Sequence, residues 1–168
     1  MTHDADILIV GGGLNGPCLA LACAQAGLSS IVIDTLPVAA QMGADFDGRS
    51  YALALASVRM LSALGLWEGL RDHAQPIHQI KASDGRAGEG AAPFFLHFDS
   101  AELEEGPMGH MLEDRFLRHA VLEAMTAQAL ITHRPGATVM AQATDGMARV
   151  TLADGEVLTG RVLIGADG

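Results

Sequence analysis

"ADILIVGGGLNGPCLALACAQAGLSSIVID", residues Ala5 to Asp34, sets three consecutive glycines between two apolar runs of different character. Ile7 to Val10 is β-branched and leucine-rich without alternation, as in a strand buried on both faces of a parallel sheet. Leu14 to Gly27 reads as a helix, with Pro17 tolerated in its first turn and Gly27 placed to stop it. Ser30 to Asp34 is a second short buried strand, so the stretch predicts a right-handed β-α-β unit.

Within that unit Gly11, Gly13 and Gly16 fit G-x-G-x-x-G, with a strand before and a helix after, the context that gives the pattern meaning. The first glycine allows a sharp turn, the second lets a pyrophosphate approach the backbone, and the third lets helix and strand pack closely. Free amides and a partial positive charge at the helix N-terminus favour an anion there. Asp34 ends the second strand, where an acid accepts hydrogen bonds from a ribose diol and disfavours a 2′-phosphate. These residues predict dinucleotide binding, and the pattern does not by itself separate FAD from NAD.

Working outward, Ser50 to Leu64 shows helical spacing, with Leu53, Ser57, Met60, Leu61 and Leu64 along one side and Gly65 at its end. Ile77 to Lys81 reads as a strand, "SDGRAGEGAAP" as a glycine-rich turn or loop, and "FFLHF" as a further strand. Glu113 to Leu130 is the longest helical pattern, with Phe116, Leu117, Ala120, Val121, Ala124 and Met125 on its apolar face. Turns at Thr144 to Gly146 and Ala153 to Gly155 divide the final segment into short β runs, which predicts an antiparallel meander.

The chain has 168 residues, 49% hydrophobic against 18% charged, with a mean hydropathy of +0.27. That excess predicts either a core large for the length or apolar surface meant to meet another domain or subunit. A formal net charge of −10 argues against nucleic acid, which needs a cationic surface, and against electrostatic docking to an anionic membrane. No apolar run reaches the ~18 residues of a transmembrane helix, and "MTHDAD" is acidic where a leader would be basic, so a cytoplasmic protein is expected. Cys18 and Cys23 share one expected helix and read as core thiols. The histidines form no H-x-H or H-E-x-x-H arrangement, so no metal site is expected, and no G-x-S-x-G elbow occurs.

"DGRSYALALASVRMLSALGLW", Asp47 to Trp67, resembles the corresponding segment of the ubiquinone-biosynthesis hydroxylases, flavoprotein aromatic monooxygenases related to 4-hydroxybenzoate hydroxylase. The matching residues are Asp47, Arg49, Ala52, Leu53, Ser57, Leu61, Leu64, Gly65 and Trp67. "IHQIKASDG", "LHFDSAEL", "MGHMLEDRFLRHAVLEAM" and "ADGEVLTGRVLIGADG" follow in the family's order, so the resemblance covers essentially the whole chain. The sequence departs from the family in two places. Asp34 stands where Glu is common, and Asp114 where many members have Asn.

The resemblance implies an α/β, Rossmann-like FAD-binding fold of the glutathione-reductase type, with a parallel sheet, a β-meander and part of a second β-sheet region. The C-terminal half of the family fold is expected to be absent from these residues. Residues 76–110 are then an insertion contributing to the substrate-side sheet. The cofactor implied is FAD, with NADH or NADPH as reductant, and the substrate an aromatic compound such as a polyprenylated phenol, at the membrane periphery. Arg49 would lie near the flavin or its pyrophosphate, the alternative being a surface ion pair with Asp47. Asp114 would accept from the ribityl hydroxyls, cap a helix, or do both. Val139 would hold adenine through its backbone or serve only as a strand residue in the core, and Asp167 and Gly168 belong to the family's Asp-Gly motif. The chain alone is expected to be inactive. Two further readings are another flavoprotein of the superfamily, a reductase or halogenase, and a non-catalytic nucleotide-binding module.

Overall fold

The computed structural model describes residues 3–43 and 47–168; Met1 and Thr2 of the acidic N-terminal stretch lie outside the described residues. In chain order the elements begin with β1 (Ala5–Val10), α1 (Asn15–Gln25), β2 (Ser30–Asp34) and α2 (Val38–Gln41). There follow β3 (Ser50–Ala54), α3 (Leu55–Ala63), α4 (Trp67–Leu70), β4 (Gln75–Ile77), β5 (Gln79–Arg86), β6 (Gly90–Asp99) and β7 (Gly109–Glu113). Then come α5 (Asp114–Ala127), β8 (Ile131–Pro135), β9 (Val139–Ala143), β10 (Ala148–Leu152) and β11 (Val157–Gly165). The chain divides into two compact units, Met1–Phe46 with Arg115–Gly168, and Asp47–Asp114.

The first unit holds a six-stranded sheet in the order β8-β2-β1-β11-β10-β9. β8, β2, β1 and β11 run parallel, whereas β9, β10 and β11 form the expected antiparallel meander. β1 and β2 are buried nearly throughout, because both faces of their sheet are covered. Ile7, Ile9 and Val32 on one face pack with Ala20 of α1 and with Leu122 and Met125 of α5. Leu8, Ile31 and Ile33 on the other face pack with Val150, Leu152 and Leu158 of the meander. Each such fully buried aliphatic side chain contributes roughly 1.5–3 kcal/mol relative to exposure. Arg134 on β8 reaches Glu156 in the β10–β11 turn through two guanidinium bonds, Nη1 to Oε1 at 2.9 Å and Nη2 to Oε2. At the start of β1, Asp6 accepts from the Ser29 amide and hydroxyl, both at 2.9 Å.

The second unit contains a three-stranded antiparallel sheet, β3-β7-β4, and a β5–β6 hairpin. The helix expected from Ser50 to Leu64 starts only at Leu55, since Ser50–Ala54 pairs with β7 from Ser50↔Glu113 to Ala54↔Gly109. Gly109 permits that pairing: a Cβ there would lie 2.1 Å from the Leu53 carbonyl oxygen. The expected apolar side shifts as well. Val58 and Leu61 are buried while Met60 is exposed. The expected strand over Ile77 to Lys81 belongs to two strands, broken at His78, and the glycine-rich loop is mostly hairpin, with β5 running to Arg86 and β6 resuming at Gly90.

α5 begins one residue later and ends three earlier than its pattern, as Glu113 completes β7. Cys18 and Cys23 are free and half-buried rather than fully in the core, and burial raises both thiols above their usual range. No helix among the described residues is long and apolar enough to cross a membrane. Those residues also contain no group of three or more His, Cys, Asp or Glu able to hold a metal ion.

Candidate functional site

The glycine run turns the chain from β1 into α1 where the parallel strands end. Gly11 has φ +118°, a conformation L side chains rarely adopt, and an added Cβ would lie 2.3 Å from the Ala166 backbone. At Gly16 a Cβ would meet the Gly11 carbonyl oxygen at 1.9 Å, so this glycine lets the helix close on the turn. Gly13 differs, having nothing within 4 Å of an added Cβ, and its open side faces a cavity of about 470 Å³. No side chain caps the first turn of α1, which leaves its orphan amides available to an anion.

That cavity brings together four of the residues singled out in the sequence: Gly11, Gly13, Asp34 and Val139. Asp167 lines it too, whereas Gly16 acts from behind through packing. Asp34 is held by backbone donors on both oxygens, Gly12 N–H to Oδ2 at 2.5 Å and Leu36 N–H to Oδ1 at 2.6 Å. A carboxylate has about four lone-pair sites, so two remain for hydroxyl donors. Sequence reasoning passed over Gly12, where a Cβ would stand 2.7 Å from Asp34 Cβ and 2.9 Å from Oδ2. Its signal was the unbroken Gly-Gly-Gly, since G-x-G-x-x-G leaves the middle position free.

The remaining two sequence candidates, Arg49 and Asp114, meet within the second unit. Arg49 Nε donates to Asp47 Oδ2 at 2.7 Å, and its Nη2 lies 2.5 Å from the same oxygen and 3.4 Å from Asp114 Oδ2. The Asp47 hydrogen bond, followed by the Asp114 charge, raises the Arg49 guanidinium further above neutrality, and Arg49 in turn holds the Asp47 carboxyl below its usual range. Asp114 is buried, 3% exposed, at the first turn of α5, where the helix dipole favours a carboxylate. Its amide donates to the Arg49 carbonyl at 3.0 Å. Its Oδ1 accepts from the Tyr51 hydroxyl at 2.8 Å, a partner that no sequence motif predicts.

A β-α-β nucleotide cradle on a parallel sheet backed by a meander defines a Rossmann-type dinucleotide-binding domain. The chain belongs to the FAD binding domain family, whose model matches residues 4–168. It is 42% identical to the ubiquinone hydroxylase UbiL of Rhodospirillum rubrum, over 98% of this chain and 37% of that protein. It is 34% identical to the 3-demethoxyubiquinol 3-hydroxylase of Escherichia coli, over 100% of this chain and 42% of the relative. The chain therefore spans about two-fifths of the length of these relatives. Among solved structures it resembles PqsL from Pseudomonas aeruginosa, with a TM-score of 0.75 and 24% identity over 98% of this chain and 42% of that one. The flavin-dependent monooxygenase PieE, solved with FAD and substrate, gives a TM-score of 0.70 at 23% identity over 99% of this chain and 31% of that one. Both confirm the expected α/β fold.

Proposed function

We infer that this chain is the FAD-binding part of an NADH- or NADPH-dependent aromatic-ring hydroxylase of ubiquinone biosynthesis. The observation that carries the cofactor assignment is the cavity at the ends of β1 and β2, which gathers Gly11, Gly13, Asp34 and Val139 beside the uncapped start of α1. These residues fit a dinucleotide. The open face of Gly13 admits a pyrophosphate to the backbone, and the α1 amides donate to it. The two remaining acceptor sites of Asp34 take a ribose diol and repel a 2′-phosphate. Gly16 keeps the helix against the turn, and Val139 offers strand backbone to adenine. Arg49 is assigned to the phosphates or the flavin edge, and Asp114 to the ribityl hydroxyls.

When bound, FAD supplies the redox chemistry, with reduced nicotinamide as electron donor and dioxygen as the oxygen source. The names of the relatives favour a polyprenylated phenol as the substrate. Such a substrate would place a hydroxylase of this kind at the cytoplasmic membrane periphery. Residues 76–110 are read as an insertion on the substrate side, and the exposed apolar face of β6 as a surface that a partner or second copy covers. Titrating the purified chain with FAD, followed by flavin fluorescence and with NADH as control, tests the assignment. Saturable binding lost in Gly13→Trp is expected. A folded chain that binds no FAD would overturn the reading of this chain as a flavin cradle. Hydroxylation coupled to nicotinamide oxidation is not expected from these residues alone.

A further inference from the structure

Tyr51 is the sole tyrosine of the chain. It stands on β3, opposite Leu112 of β7, so its ring is carried by a paired strand rather than a loop. From there its hydroxyl donates to Asp114 Oδ1 at 2.8 Å. The other Asp114 oxygen, Oδ2, faces Arg49 Nη2 at 3.4 Å, and the Asp114 amide is tied to the Arg49 carbonyl at 3.0 Å.

The terminal torsion of an aspartate is broad, so packing alone does not set the rotation of its carboxylate. A hydroxyl donor carried by a sheet restrains it, and hydrogen bonds to a charged acceptor are the stronger ones. With Oδ1 on Tyr51, Oδ2 turns to Arg49. Arg49 is also drawn by Asp47, whose carboxylate is half-exposed. Weakening the hold on Asp114 would leave Asp47 as the dominant anchor of the guanidinium.

We propose that Tyr51 is a positioning residue for the cofactor: its hydroxyl fixes the Asp114 carboxylate, and through it the Arg49 guanidinium, in the orientation that receives FAD. This rests on the assignment of Arg49 and Asp114 to the cofactor. Tyr51 acts through Asp114 and need not touch the ligand.

The test is a double-mutant cycle read by FAD titration of the parent chain, Tyr51→Phe, Asp114→Ala and the pair. Tyr51→Phe removes one oxygen and keeps the ring, and it should raise the Kd for FAD about tenfold. In the Asp114→Ala background the same change should have no further effect. Should Asp114→Ala fail to fold, Asp114→Asn replaces it, and there the loss of the hydroxyl should cost less than in the parent. Because the chain has one tyrosine, its Raman doublet gives a second readout, strongly donating in the parent and not in Asp114→Ala. An unchanged Kd in Tyr51→Phe, or an equal loss in both backgrounds, overturns the proposal and leaves the FAD assignment standing. Absence of saturable binding by the folded parent chain overturns that assignment and the proposal together.

Discussion

The amide of Gly12 donates to Asp34 Oδ2 at 2.5 Å, and the space a Gly12 Cβ would occupy is filled by the Asp34 side chain, 2.7 Å away. The acid at the end of β2 and the middle glycine of the turn therefore define each other's position. Gly12→Ala is expected to push Asp34 aside, at a cost of about 1–3 kcal/mol in stability, and to weaken FAD binding. Gly13→Ala, whose Cβ meets nothing within 4 Å, should leave stability within about 0.5 kcal/mol while still obstructing the ligand. Thermal denaturation beside FAD titration separates the two effects.

Gly16 offers a purely structural contrast. A methyl group there would approach the Gly11 carbonyl oxygen to 1.9 Å and Ile9 Cγ2 to 3.2 Å. Backbone cannot yield as a flexible side chain does, so Gly16→Ala should cost about 3 kcal/mol or more, the upper end of overpacking penalties. Urea unfolding should show a lower midpoint with or without FAD.

Asp6 gives a pH dependence. Hydrogen bonds from the Ser29 amide and then the Ser29 hydroxyl lower its carboxyl from 3.8 to about 2. A carboxyl depressed in the folded state binds fewer protons there than in the unfolded chain, so its stabilisation is present above 3.8 and is lost as pH falls toward about 2. The stability gap between the parent and Asp6→Asn should thus be constant at neutral pH and narrow across that acid window. Denaturant midpoints measured from neutral pH to pH 2 would check it, and a gap independent of pH would contradict the assignment.

The β5–β6 hairpin exposes Phe94, Leu96 and Phe98 at 87%, 65% and 52%. Alternate strand residues share a face, so these three form one apolar surface. The double change Phe94→Ser and Leu96→Ser removes no core packing and should alter the unfolding free energy by less than about 0.5 kcal/mol. It should lower dye binding and concentration-dependent association in sedimentation, as expected of an apolar patch this exposed.

Most of the first unit was legible in the sequence because local and tertiary signals agree there. β2 matches its expected span from Ser30 to Asp34, since an unbroken apolar run has one use in a parallel sheet with both faces covered. The meander was legible from its turn residues. Ser50–Ala54 was not, because Tyr51, Leu53 and Leu55 satisfy a two-residue period as readily as the following residues satisfy a helical one. Pairing with β7 decides between them. Of the site residues, Gly11, Gly13, Asp34 and Val139 were found by pattern and resemblance, and the structure places all four on one cavity. Tyr51 was hidden because its partner, Asp114, is 63 residues away, a separation no short motif spans.

β11 lies between β1 and β10, with Ala5 opposite Gly160. The ties at this junction, such as Asp4 to Thr159, close a span of 155 residues. β1 therefore leaves the ribosome long before its second neighbour exists, and the cradle cannot be completed until β11 has been synthesised. The second unit pairs over much shorter distances, within Asp47–Asp114, and topology favours its earlier assembly. Ligand-binding competence is thus a late event in the maturation of this chain, and the edge of apolar β1 that β11 will cover, left open while β2 already pairs with its other edge, is a segment in need of shielding during synthesis.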